Sequence, residues 1–305
     1  MAHQTKKKQT ATSTRLKADL LLLLTATIWG FAFVAQRIGM TTMGPFIFNG
    51  IRFSLGALIL VPLLIWQNKG DKTSLKSIRK DDFLPILFTG LTLFAGASLQ
   101  QIGLVGTTAG KAGFITGLYV ILVPLLALFW GQKTHPAHWI GALMAAGGLY
   151  LLSVKAGFEI SPYDLVVLAG AFVWAGHVHL VDRYGGLVGP LRLSIGQFVV
   201  CGALSIIAAI FFEEVNLASL SDGLYPILYG AFLSVGLAYT LQVVAQRTAD
   251  PSHAVIILSL EGAFAALGGW IVLQEVLTPR DLLGSGLMLA GVLCSQIFGK
   301  PMKGK

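Results

Sequence analysis

Charge is scarce in this sequence. Asp, Glu, Lys and Arg make up 12% of its 305 residues, while 55% are hydrophobic and the mean hydropathy is +0.75. A soluble domain carries about twice that charged fraction, so the bulk of the chain reads as a polytopic membrane protein. Cysteine is nearly absent, and Cys201 and Cys294 both lie in apolar segments, so no disulfide framework is indicated. The net charge of +8 does not point to nucleic acid, because the lysines and arginines sit between apolar runs rather than on one basic stripe. Metalloprotease and nucleophile-elbow motifs are missing, and no nucleotide-binding domain accompanies the apolar runs, so a single-chain ATP-driven pump is not expected. The run Gly103–Ala112 is out of register for a phosphate-binding loop and reads as a tight turn leading into a glycine stripe. No metal site or cofactor is expected. His177 and His179 are two apart and cannot share a helix face, and His135-Pro-Ala-His138 has no further ligands close by in sequence.

What the chain does have is apolar runs of spanning length. Ten are expected, at roughly 18–37, 45–67, 83–105, 112–131, 136–154, 163–182, 191–212, 224–245, 253–274 and 281–299. Pro45, Pro136, Pro190 and Pro279 stand at or near helix starts, where the missing N–H costs nothing, whereas Pro124 falls inside the fourth run and predicts a kink there. Residues 1–17 are polar and basic and are expected to be a disordered cytoplasmic tail, with 300–305 a second basic cytoplasmic tail. The first apolar run is too long for a secretory signal and is expected to remain as a span. Basic residues gather on one set of connections (Lys69, Lys72, Lys76, Arg79, Lys80, Lys133, Arg183, Arg192, Arg247), and the other set carries only Arg37, Lys111, Lys155 and Arg280. That bias predicts ten spans with both termini cytoplasmic.

The chain also repeats itself. Trp29 matches Trp174, Gly44-Pro45 matches Gly189-Pro190, and Arg52-Phe53 matches Gln197-Phe198, all at an offset of 145. Pro85–Phe88 matches Pro226–Tyr229 at 141, and Pro136, Gly141 and Gly148 match Pro279, Gly284 and Gly291 at 143. Two units result, 18–154 and 163–299, each of five spans. An odd number inverts the second unit relative to the first, so the expected fold is all-α, ten transmembrane helices as two inverted five-helix repeats. In such folds solutes bind near the bilayer midplane between the repeats.

The stretch Ser252–Glu275 holds the most informative residue. Glu261 is the one carboxylate near the middle of about twenty apolar residues, where a charge costs at least roughly 2.5–3.5 kcal/mol and is rarely left facing lipid. Three roles are open to it: binding a cationic or amino group, carrying a coupling proton, or bonding to a neighbouring helix. Trp29 and Trp174 lie at mid-span, away from the interfacial belts, and suit either a cavity wall or a packing plug. His177 lies one turn after Trp174 on the same face, and Tyr119 and Tyr239 offer rings with a polar tip. Gln101 and Gln242 match at 141 and are candidates for polar gates at opposite ends of one pathway. Arg52 reads as a side chain reaching the outer surface, with attraction of an anionic solute as the other reading.

With these residues in hand, the chain resembles the drug/metabolite transporter superfamily, in its EamA-type family of tandem five-helix repeats. Trp29-Gly30, Trp174-Ala175, Arg52-Phe53, Ser259-Leu260-Glu261, Glu275-Val276-Leu277-Thr278 and the glycine-rich last helices carry the resemblance. It implies a central cavity, alternating access, and export or exchange of small polar or amphipathic metabolites. The expected protein is therefore a secondary carrier of a bacterial inner membrane, for amino acids, similar solutes or drugs. Its expected partners are a small-molecule substrate and the lipid bilayer, with proton coupling and a homodimer both compatible. A membrane enzyme acting on lipid-linked substrates is the alternative. It would need acids or histidines clustered at one surface, and Asp71, Asp81 and Asp82 are diluted by basic neighbours.

Overall fold

A computed structural model describes residues 2–67, 80–129, 131, 134–153, 161–214, 221–249, 251–276 and 278–298. Every regular element among them is helical: α1 (Ala2–Gly39), α2 (Pro45–Gln67), α3 (Lys80–Leu104), α4 (Ala109–Thr116), α5 (Tyr119–Phe129), α6 (Pro136–Ser153), α7 (Pro162–Val188), α8 (Pro190–Phe212) and α9 (Leu224–Leu228). A π-helical segment, Tyr229–Tyr239, continues directly into α10 (Thr240–Gln246), and α11 (Pro251–Leu258), α12 (Glu261–Leu273) and α13 (Pro279–Phe298) complete the chain. The four expected prolines open helices, and Pro162 and Pro251 do the same. Ser161 caps α7 by accepting from Tyr163 N, and Thr108 caps α4 by accepting from Lys111 N.

Among the described residues, seven continuous segments are long and apolar enough to cross a bilayer: 15–39, 45–67, 81–104, 162–188, 190–212, 224–246 and 251–273. The remaining expected spans are helical too, as α4–α5, α6 and α13. The outer surface is apolar, with Leu58, Trp66, Phe211, Phe212, Tyr225 and Ile297 all exposed. Gln36, Asn49, Arg52, Gln100, His177, Gln197, Gln242 and Glu261 are buried inside. That inside-out distribution suits lipid as the solvent. The basic connection Lys69–Arg79 with Asp71, the residues Gln132, Lys133 and Lys155, and the tail 300–305 lie outside the described residues.

Three features depart from expectation. Helix α1 begins at Ala2, so the segment expected to be disordered continues the first span as helix; its Lys, Gln, Thr and Ala residues include no helix breaker. The fourth span is interrupted at Gly117–Leu118, between α4 and α5, and not at Pro124, which lies within α5. Tight turns close the gap there, Gly117 N to Gly113 O at 3.0 Å and Leu118 N to Ile115 O at 3.1 Å. The eighth span contains the π-helical stretch, a rare geometry that the apolar pattern does not announce.

The ninth span is broken as well, at Ser259–Leu260, so that Glu261 heads α12 just as Tyr119 heads α5. The two breaks cross. A Cβ on Gly113 would sit 2.7 Å from the Ala265 methyl and 3.2 Å from the Gly262 Cα, so only glycine at these positions lets the backbones approach. The glycine-rich helices α6 and α13 meet in the same manner, Gly141 against Gly291 and Gly148 against Gly284. Helix α1 runs from the face that carries Asp19 and His253 to the one where Arg37 Nη1 donates to the Leu104 and Val105 carbonyls (2.9 and 3.0 Å). Helix α7 starts on that second face, where Asp164 meets Thr107 and Lys111, so α1 and α7 run in opposite directions.

Candidate substrate cavity

Ten of the helical segments line a cavity of about 470 Å³, counted to its open mouth. Its walls come from α1 (Trp29, Phe33, Gln36), α2 (Arg52), α3 (Gln100), the two crossing breaks (Thr116, Tyr119, Leu258, Glu261), α7 (Trp174, His177, Val178) and the π segment with α10 (Ser234, Tyr239, Gln242). Tyr239 is the hub. Its ring centroid lies 4.6 Å from that of Trp29, 6.2 Å from Trp174, 6.3 Å from His177 and 5.8 Å from Phe198. The polar ends of the tryptophans are pinned across the bundle: Trp29 Nε1 donates to the Ser234 carbonyl (3.1 Å) and Trp174 Nε1 to Gln100 Oε1 (3.0 Å). Gln100 in turn donates through Nε2 to Gln36 Oε1 at 2.9 Å. His177 stands edge-on to Trp174, ring centroids 5.6 Å apart, with its Nε2 2.8 Å from Gln197 Oε1.

Charge enters from two places. Arg52 is fully buried, not at the outer surface as its sequence position suggested. Its Nε donates to Asn49 Oδ1 (3.0 Å), and its guanidinium carbon lies 4.8 Å from the Phe53 ring centroid and 5.3 Å from that of Phe48. Those aromatic faces supply the cation–π contacts that make an inward position tolerable. Glu261 is 3% exposed, and the Tyr119 hydroxyl neighbours its carboxyl. Among the described residues no salt bridge joins Arg52 or Glu261 to anything. Two further wall atoms lack a hydrogen-bond partner within the protein, Thr116 Oγ1 and Gln242 Oε1.

Of the residues singled out from sequence, Trp29, Tyr119, Trp174, His177, Tyr239, Glu261 and Gln242 meet in this one cavity. Gln101 does not line it and instead donates to the Gln36 carbonyl at 3.3 Å. His179 points away, to the Val123 carbonyl (2.9 Å). Sequence reasoning missed Gln36, Gln100, Thr116 and Ser234. A signal existed for Gln100: Gly96, one turn before it, presents bare backbone to the Trp174 ring, where a Cβ would lie 3.1 Å from the indole. Ser234 gave none, because its backbone carbonyl does the work and only the π geometry aims it.

A bundle of apolar helices around a polar, aromatic-walled chamber at mid-depth is the build of a membrane transporter. The chain belongs to the EamA-like transporter family, whose model matches it twice, at residues 16–154 and 161–296. It is 35% identical to an uncharacterized transporter of Archaeoglobus fulgidus, over 92% of this chain and 85% of that one. It is 27% identical to the threonine/homoserine exporter RhtA of Escherichia coli K12, over 91% and 90% of the two chains. A solved structure 19% identical in sequence superposes with a TM-score of 0.75, covering 94% of this chain and 99% of the other, which is a likeness of fold.

Proposed function

We propose that this transporter is a secondary carrier that exports or exchanges amino acids or similar amphipathic solutes. In this reading the chain makes ten membrane crossings as two inverted five-helix repeats, 18–154 and 163–299. It sits in a plasma membrane of the bacterial inner-membrane type, with both termini cytoplasmic. One repeat rocks against the other, exposing the cavity to each side in turn. The observation that carries the solute class is the unpaired Arg52 and Glu261 in the wall of one cavity, with aromatic rings between them. Each charge is costly in a membrane, and neither is neutralised by the protein. A solute bearing both a carboxylate and an ammonium would pair with both, leaving its apolar body against Trp29, Trp174 and Tyr239. The orphaned hydroxyl of Thr116 is available to such a solute as a further hydrogen-bond group. The name of RhtA, an exporter of threonine and homoserine, is consistent with that class.

Flux in proteoliposomes tests the reading. Threonine, homoserine and larger amino acids should move and should compete with one another. Their carboxylate-free and amine-free analogues should compete at least about tenfold less well, the loss of one charge-assisted contact. Repeating the assay with an imposed pH gradient separates proton coupling from simple exchange. Protein that is folded yet moves no zwitterion, while moving an uncharged or purely cationic solute, would overturn the assignment.

A further inference from the structure

Among the described residues, two of the ion pairs outside the cavity stand at opposite ends of the bundle. On the face that carries Asp19, His253 Nε2 lies 2.9 Å from Asp19 Oδ1. On the opposite face, Lys111 Nζ lies 3.6 Å from Asp164 Oδ2, and Asp164 also accepts from the Thr107 hydroxyl. Along α1 the first pair stands about 27 Å from the end of the helix at Arg37, by the rise per residue. The four residues correspond. Asp164 follows Asp19 by 145 positions and His253 follows Lys111 by 142, within the spread of offsets that relates the two family matches. Each pair ties the start of the first apolar span of one copy to the start of the fourth of the other. They are one contact, made twice, on opposite faces.

The two versions differ in chemistry. Lysine holds its charge throughout the pH range of a cell, whereas imidazole is the side chain whose charge changes between pH 5 and 8. We propose that His253 with Asp19 is a proton site that latches the Asp19 face, and that Lys111 with Asp164 is its proton-insensitive counterpart on the opposite face. The proposal rests on the alternating-access reading, in which one latch must part for the cavity to open at that end. With the proton bound, imidazolium and carboxylate form a full ion pair and the Asp19 face stays closed. As pH rises the pair loses one of its charges and that face opens more readily.

The surroundings keep the site distinct. Helix α6 brings His138, its ring centroid 6.2 Å from that of His253 and its Nδ1 2.7 Å from Ser295 Oγ on α13, with His135 a further 6.2 Å behind. Helix α1 adds Arg15 and Lys17 a turn before Asp19, and α7 ends on this side with Asp182 and Arg183. Helix α5 contributes no titratable group near this face. The nearby Arg192–Asp82 pair (3.9 Å) joins α8 to α3.

Sided labelling tests this without needing any substrate. The full chain, with Cys201→Ala and Cys294→Ala, carries Gln242→Cys in the cavity wall. It is reconstituted in one orientation and exposed to a membrane-impermeant maleimide from the Asp19 face. Rates are normalised to the same cysteine in denatured protein, which removes the intrinsic rise of thiol reactivity with pH. With His253 present, the normalised rate should climb about fivefold from pH 5.5 to 8, the size of population shift a single ion pair can impose. His253→Lys should be slow and flat, and His253→Gln and Asp19→Asn fast and flat. Asp164→Asn should keep the pH dependence while lowering the rate from this face. A flat rate with His253 in place, or a pH dependence surviving in both His253→Gln and Asp19→Asn, overturns the latch. A cysteine labelled equally from both faces under every condition would instead overturn alternating access.

Discussion

Arg52 of the first copy and Gln197 of the second stand at equivalent positions, as do Tyr119 and Glu261, yet the members of each pair do different things. Gln197 holds His177 in place, whereas Arg52 presents an unpaired guanidinium to the cavity. Glu261 brings a carboxyl to the head of α12, and Tyr119 brings a neutral hydroxyl to the head of α5, facing it. The copies share a backbone plan and have divided the charges, the cation coming from one and the acid from the other. The eighth span shows the same divergence. Its counterpart, α3, is a regular α-helix, while Tyr229–Tyr239 is wound as a π-helix and turns the Ser234 carbonyl toward Trp29. Symmetry builds the chamber, and departures from symmetry give it a chemistry.

Making the copies alike at these positions should therefore abolish selectivity before it abolishes folding. The largest effect is expected at Glu261→Gln, which keeps the shape and removes the acid. Losing a charge-assisted contact with an ammonium is worth about 1.5–3 kcal/mol, so amine-bearing solutes should bind about 10- to 150-fold more weakly. Isothermal titration in detergent measures the loss directly. If Glu261→Gln also kept the pH dependence of flux, Glu261 would be a binding residue only, with no part in proton movement.

Arg52→Gln copies Gln197 into the first repeat and should cost somewhat less. Glutamine can still donate one hydrogen bond to a carboxylate, so about tenfold is expected for amino acids, on the lower side of the charged-contact range. Their decarboxylated analogues should bind unchanged, and that difference is the informative readout. Equal losses for both solutes would mean that Arg52 acts through packing on Phe48 and Phe53, not through its charge.

Much of the architecture was legible because spanning a membrane is a coarse constraint: apolar length and helix-starting prolines are both written at the scale of twenty residues. The cavity was legible where two copies marked it together, as at Trp29 and Trp174, or where a lone acid could have no apolar role, as at Glu261. Arg52 was misread because its place toward one end of α2 resembles that of a side chain reaching the surface. What turns it inward is the pair of phenylalanine faces and Asn49, contacts that depend on tertiary packing. Gln100 and Gln101 differ by one position, hence by about 100° around α3, and the pattern of apolar residues did not say which one looked inward. The breaks at Gly117–Leu118 and Ser259–Leu260 left a faint trace in the glycines beside them. The π-helix left none.

The smallest expected effect separates the two tryptophans. Phenylalanine at either position keeps an aromatic wall and deletes one N–H, a change of about 1 kcal/mol. At Trp174 the freed acceptor is the Gln100 side-chain oxygen, which can rotate toward a solute or toward Gln36, so the penalty should fall on binding, about fivefold, with thermal stability little altered. At Trp29 the freed acceptor is the Ser234 carbonyl, fixed in the π-helical backbone and buried among Trp29 and Tyr239. It cannot swing to another donor, so Trp29→Phe should lower the unfolding midpoint more than Trp174→Phe does. Thermal unfolding and titration on both variants would decide it. Identical behaviour of the two would mean that the π segment is not held by Trp29, and the copies would be more alike at this wall than their backbones suggest.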